Sequence, residues 1–145
     1  MQHESVMLKP AVDFLVQNSS GAYLDCTGGL GGHAAEILTR LNEHGRLWIC
    51  DYHQKTVERL QQRFAVDARV TILCSRFSQI FDKLNLFFDG IIVDLGISSP
   101  QLEDPELGIG FLVNDAPLDM RLDATLSATA ADLLETTPEE KLADI

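Results

Sequence analysis

Tyr23-Leu24-Asp25-Cys26-Thr27-Gly28-Gly29-Leu30-Gly31-Gly32-His33 decides the fold: an apolar lead-in and a carboxylate, followed by four glycines within five positions. Residues without a Cβ reach positive φ and let a ligand touch main-chain N–H groups, so the stretch reads as a strand, a tight turn and the first turn of a helix. The helix follows at once, because Ala34, Ile37, Leu38 and Leu41 recur at the i, i+3, i+4, i+7 spacing of one buried face. Gly29 to Ala34 also satisfies the G-x-G-x-x-A form of the dinucleotide fingerprint. The glycines by themselves equally suit a turn that only closes a strand onto a helix.

Working outward, Asp51 ends the apolar run Leu47-Trp48-Ile49-Cys50 about twenty residues beyond the glycines. An acid at the tip of the second strand is where nucleotide-binding α/β folds grip ribose hydroxyls. It could instead cap the next helix, whose face is Val57, Leu60 and Phe64. The unit then repeats: Val70–Cys74 is β-rich, a helical segment carries Phe77, Ile80, Phe81 and Leu84, and Gly90–Asp94 is another short apolar run. Apolar strands alternating with helices predict a parallel sheet covered on both faces. Cys26, Cys50 and Cys74 recur at one βα interval near strand ends. With no C-x-x-C pair, and with His33 and His53 at no ligand-like spacing to them, they are expected to be buried reduced thiols rather than metal ligands.

The segment Asp94-Leu95-Gly96-Ile97-Ser98-Ser99-Pro100-Gln101 leaves the fourth strand through turn-forming residues. In open α/β sheets the ligand crevice lies outside the carboxyl ends of the strands, which places Asp94 beside the glycine loop and Asp51. Charge is uneven along the chain. Of the net −11, residues 1–100 carry −2 and residues 101–145 carry −9, the latter offset only by Arg121 and Lys141. There is no basic run of the kind that grips phosphate backbones. Nor is there an apolar run long enough to span a bilayer, or a charged-then-apolar leader, so the expected location is cytoplasmic.

Together with His3-Glu4-Ser5-Val6-Met7-Leu8, Asp89 to Leu102 and Pro117-Leu118-Asp119-Met120-Arg121-Leu122-Asp123, these motifs resemble the RsmH (MraW) family from about Gln2 to the end of the chain. The resemblance implies an α/β, Rossmann-like class I S-adenosylmethionine-dependent methyltransferase fold, with a parallel sheet, helices on both faces and the later strands missing. It implies a cofactor, S-adenosyl-L-methionine, and a substrate, the exocyclic N4 amino group of a cytidine in small-subunit ribosomal RNA or the small ribosomal subunit. By the same resemblance Gly31, Gly32 and His33 would line the methionine and ribose part of the cofactor. Asp51 would hold the ribose hydroxyls, Phe77 would stack near the adenine, and Asp94 and Gln101 would complete the pocket. Asp94 and the Ser98-Ser99-Pro100 turn are the nearest candidates for a catalytic acceptor beside the amino group.

The chain also departs from the family pattern. Asp51-Tyr52-His53-Gln54 stands where the family has Asp-x-Asp-Pro, and Glu106-Leu107-Gly108-Ile109-Gly110-Phe111 where it has Glu-Arg-Gly-Phe-Ser-Phe. By the resemblance, the acid expected to hold the ribose is kept while the helix entry differs, and Leu107 and Gly110 replace side chains suited to contacting RNA or the reacting site. Residues 1–145 are expected to form the N-terminal part of a methyltransferase domain, with 101–145 the start of a helical insertion. Thr137-Pro138-Glu139-Glu140 reads as a capping box opening one more helix, truncated almost at once. A fourth strand without a further neighbour predicts self-association through its edge. Two other classes stay open: a truncated, non-catalytic cofactor-binding module, and an NAD-binding oxidoreductase using the same loop and Asp51.

Overall fold

The structure is a computed structural model, and it describes residues 5–97, 99–109, 115–123 and 125–144. The chain divides into two compact units, with the division in the sequence between Leu95 and Gly96.

The first unit is built on four parallel strands, β1 (Ala22–Asp25), β2 (Arg46–Asp51), β3 (Val70–Cys74) and β4 (Gly90–Ile92), in the order β3-β2-β1-β4. Each strand is joined to the next in the chain by a helical crossover. The helices are α1 (Leu8–Leu15), α2 (Gly32–Arg40), α3 (Gln54–Arg63) and a short segment made of a 3-10 turn (Phe77–Gln79) running into α4 (Ile80–Lys83). Successive side chains along a strand point to opposite faces. Thus Tyr23, Leu47 and Ile49 pack with Val12 of α1, Ala34, Ile37 and Leu38 of α2 and Leu60 of α3. Leu24 and Cys50 form a second cluster with Cys26 and Ile80, closed by Trp48, Leu73, Leu84 and Phe88. The rings of Trp48 and Phe88 meet edge to face at 5.4 Å, a favoured aromatic geometry.

The α2 face expected from periodicity is the one that is buried: Ala34, Ile37, Leu38 and Leu41 are all in the core. The parallel sheet with helices on both faces is likewise observed. The expected helical segment carrying Phe77, Ile80, Phe81 and Leu84 is a 3-10 turn running into a short α-helix, and of these four only Ile80 is fully buried while Phe81 is exposed. Two expectations need correction. The fourth strand ends at Ile92, two residues short of Asp94. Cys26 and Cys50 are buried free thiols, but Cys74 is exposed because it ends β3, the strand at the sheet's edge.

The second unit holds α5 (Ser99–Leu102), α6 (Ala130–Thr136) and α7 (Glu139–Leu142). Its organising piece is Pro117 to Asp123. The Leu118 and Asp119 carbonyls accept the Ala131 and Ala130 amides at the start of α6. Asp119 pairs in bidentate fashion with Arg121, whose guanidinium also donates to the Leu126 carbonyl. The capping box occurs one helix earlier than expected: Thr129 and Asp132 exchange side-chain and backbone hydrogen bonds at the start of α6. Thr137 instead ends α6, its amide bonded to the Leu133 carbonyl, and Pro138 precedes α7. Ser98 and Gly110 lie outside the described residues, as do His3 and Glu4.

Truncating a fully buried side chain forfeits both transfer and packing energy. Ile37→Ala should therefore lower stability to urea by about 3 kcal/mol, whereas Val66→Ala, at a side chain left in solvent, should change it by less than about 0.5 kcal/mol.

Candidate functional site

The carboxyl ends of β1, β2 and β4 converge on the loop from Asp25 to Gly31. The central strand β1 lies at the point where connections reverse direction, toward β2 on one side and β4 on the other, which is where a crevice opens in this class of sheet. The loop is held from both sides. Gly28 donates its amide to the Cys50 carbonyl of β2 (2.9 Å), and Cys26 donates to the Ile92 carbonyl of β4 (2.9 Å). Gly29 and Gly31 have φ of +49° and +77°, a conformation in which a Cβ is strained. Gly31 thereby turns the chain directly into α2, whose first amides have no partner within the helix.

Asp51 makes the helix-entry contact that the sequence held open as the alternative to ribose binding, and it also clamps the glycine loop. One carboxylate oxygen accepts the Gly29 amide (3.0 Å), so the end of β2 clamps the glycine loop, and the other accepts the His53 amide (2.9 Å) at the entry to α3. An ionised carboxylate offers about four lone-pair positions. Two are used here, which leaves acceptor capacity for hydroxyl groups.

Asp94 follows β4. Its amide donates to the Thr27 hydroxyl (2.8 Å), tying it to the loop, and its half-exposed carboxylate lies 3.8 Å from Nδ1 of the buried His33. Phe77 opens the segment after β3 and is 44% exposed, so it is not the core aromatic that its spacing to Ile80 would suggest. Gly31, Gly32, His33, Asp51, Phe77 and Asp94 all belong to the first unit. Gln101 belongs to the second, on α5.

Sequence reasoning passed over Asp25 as a site residue. Its carboxyl is buried at the end of β1; Oδ1 accepts the Thr27 amide (3.1 Å), while Oδ2 is buried with no hydrogen-bond partner among the described residues. Burial pushes its pKa up to about 6, against the lowering effects of the Thr27 amide and His33, with the charges of Asp51 and Asp94 adding to the rise. A carboxylate ending an otherwise apolar strand inside a sheet was the available signal. Burial also raises the neighbouring thiols, Cys26 to about 11 and Cys50 to about 12, so neither is a nucleophile near neutral pH.

The crevice thus collects three carboxylates and one imidazole around bare backbone. An unpartnered buried oxygen on Asp25 and spare lone pairs on Asp51 suit a ligand that carries positive charge and hydroxyl groups. Among the described residues no cluster of side chains has the make-up of a metal site.

The model of the MraW methylase family matches residues 1–145. The chain belongs to the MraW methylase family. It is similar to proteins named ribosomal RNA small subunit methyltransferase H, with 38% identity to that of Alteromonas mediterranea and 41% to that of Leptothrix cholodnii. Each match covers 99% of this chain, with 47% and 46% of the respective relative. The chain therefore spans about half the length of the curated relatives it matches. A candidate rRNA methylase from Clostridium thermocellum superposes with a TM-score of 0.56 at 18% identity, over 67% of this chain and 54% of that one, a likeness of fold. This MraW-family chain accordingly has the Rossmann-like class I methyltransferase fold.

The Asp25 carboxyl makes stability depend on pH. Its folded pKa of about 6 exceeds the ordinary 3.8, so its contribution is fully present below pH 3.8 and is lost as pH rises through 6. Asp25→Asn has no charge to bury. Denaturant titrations should find the variant gaining on the parent between pH 4 and pH 7, by on the order of 3 kcal/mol; a constant difference would remove the buried charge from the account.

Proposed function

We propose that this chain binds S-adenosyl-L-methionine and forms the cofactor half of an enzyme that methylates the exocyclic N4 amino group of a cytidine in small-subunit ribosomal RNA. The observation that carries the reading is the acidic, glycine-lined crevice at the ends of β1, β2 and β4 in a chain of the MraW methylase family. The cofactor's chemistry fits the residues present. Asp51 accepts the ribose hydroxyls with its remaining lone pairs, and Phe77, exposed beside the end of β3, offers a ring face to the adenine. Gly31, Gly32 and His33 line the methionine and ribose part at the unpartnered first turn of α2. Asp25 and Asp94 place negative charge near the cationic end.

When bound, the cofactor supplies a methyl carbon on a sulfonium, a leaving group already activated by its charge. What remains for the protein is alignment, which supplies up to about 7–11 kcal/mol when reacting groups are held in a near-attack geometry. The cytosine amino group is a poor nucleophile because its lone pair is delocalised into the ring. Asp94, exposed and fixed to the loop through Thr27, accepts an amino hydrogen and so turns that lone pair outward. The net charge of −11 gives this half no general affinity for phosphate backbones, so RNA is gripped through other segments or the small subunit itself. Residues 101–145 begin the helical insertion of the domain.

A second proposal concerns association. Within the described residues β4 pairs only with β1, and Ile91 in it and Val93 just after it are more than two-fifths exposed. Such an edge is a template for another strand. Sedimentation velocity should show self-association that rises with concentration, and a monomer at all concentrations would remove the proposal.

Calorimetry with S-adenosylmethionine, S-adenosylhomocysteine and NAD tests the cofactor. The first two should bind, and binding of NAD alone would overturn the reading. Asp51→Ala should weaken S-adenosylmethionine by about tenfold or more, the loss of a charged hydrogen bond. Transfer of a labelled methyl group to small subunits separates an active enzyme from a cofactor-binding module.

A further inference from the structure

The segment ahead of α1 lies against the glycine loop, and its contacts have no role in the cofactor reading so far. Ser5 packs on Gly32 so closely that a Cβ built there would lie 2.1 Å from the Ser5 Oγ. Position 32 therefore has no room for a side chain on the face that Ser5 covers. One residue on, the Val6 carbonyl lies 3.2 Å from Nε2 of His33. A carbonyl oxygen only accepts, so Nε2 carries a hydrogen in both the neutral and the charged imidazole. Nδ1 then faces the Asp94 carboxylate at 3.8 Å.

Next, Met7 takes a left-handed conformation, φ 50° and ψ 30°, as the residue that opens α1, an arrangement that costs free energy in a non-glycine residue and persists only when its surroundings impose it. The surroundings are at hand. Val12 of α1 is in the core with α2, and Asp13 pairs with Arg40 of α2, which also pairs with Glu36. Helix α1 is thus anchored along α2, and the strained turn at Met7 directs Ser5 and Val6 onto the first turn of α2.

We propose that Ser5–Met7 form a clasp that positions His33 for the cofactor: Ser5 closes on Gly32, and the Val6 carbonyl fixes the imidazole with its Nε2 hydrogen inward and Nδ1 toward Asp94. Ser5 and Val6 are positioning residues, acting through His33 and the start of α2. The proposal rests on the cofactor reading above for its purpose, but its geometry is measurable without any cofactor.

The test is a double-mutant cycle on the full chain, read by nitrogen NMR of the His33 ring and by calorimetry with S-adenosylhomocysteine. Gly32→Ala should expel Ser5, shift the ring from a single Nε2–H form to a mixture, and weaken binding by about tenfold or more. Adding Ser5→Gly makes room for the new methyl and should restore both readouts. Ser5→Leu, which overfills the contact while leaving the loop intact, should shift the ring in the same direction as Gly32→Ala. The clasp is overturned if Gly32→Ala and Ser5→Leu leave the ring signals unchanged, or if Ser5→Gly restores neither readout. Failure of the unmodified chain to bind S-adenosylmethionine or S-adenosylhomocysteine would sink the cofactor reading instead, and the ring spectra would still decide the clasp.

Discussion

The Asp51 carboxylate holds together what the rest of the site depends on. By accepting the Gly29 amide with one oxygen and the His53 amide with the other, it ties the end of β2 to the glycine loop and to the start of α3 at once. Charged acceptors on backbone amides make strong hydrogen bonds, and here they close a loop whose glycines would otherwise leave it with many conformations. The Gly28 bond to Cys50 and the Cys26 bond to Ile92 complete the brace from both neighbouring strands. A crevice walled by exposed backbone needs such bracing, because there are few side chains in the loop to pack.

Electrostatics in the crevice follow from that geometry. Three strands end in or near carboxylates, and converging them puts Asp25, Asp51 and Asp94 close enough to influence one another. The most enclosed of them, Asp25, responds by holding its proton more tightly, the least costly answer for an acid with an unpartnered oxygen in a dry environment. Burial and charge together, not any one hydrogen bond, set the state of this group.

The second unit shows a motif whose length invites a functional reading and whose contacts are mostly internal. Pro117 to Asp123 supplies carbonyls to the start of α6 and a bidentate ion pair that fixes its own turn. Leu107, where the resemblance implies arginine, uses its carbonyl to accept the Met120 amide. That is a backbone role which any side chain at this position allows, and it accounts for how the substitution is accommodated within the unit.

Much of the architecture was legible in the amino-acid order, because hydrophobic period and glycine placement are local properties. The α2 face, the four strands, the loop and the acid at the end of β2 all follow from residues within a few positions of each other. Other features depend on neighbours distant in the chain. That Cys74 is exposed while Cys26 and Cys50 are buried depends on which strand lies at the sheet's edge. That Phe77 and Phe81 are exposed beside a buried Ile80 depends on the crossover being one short helical segment. The unpartnered oxygen of Asp25 and the closure of Ser5 on Gly32 arise only when β1, α2 and the segment before α1 are brought together. Sequence alone determined the parallel α/β frame and the place of the glycine loop at its strand ends; tertiary structure decided the burial and orientation of the groups around it, because those depend on partners more than twenty residues away.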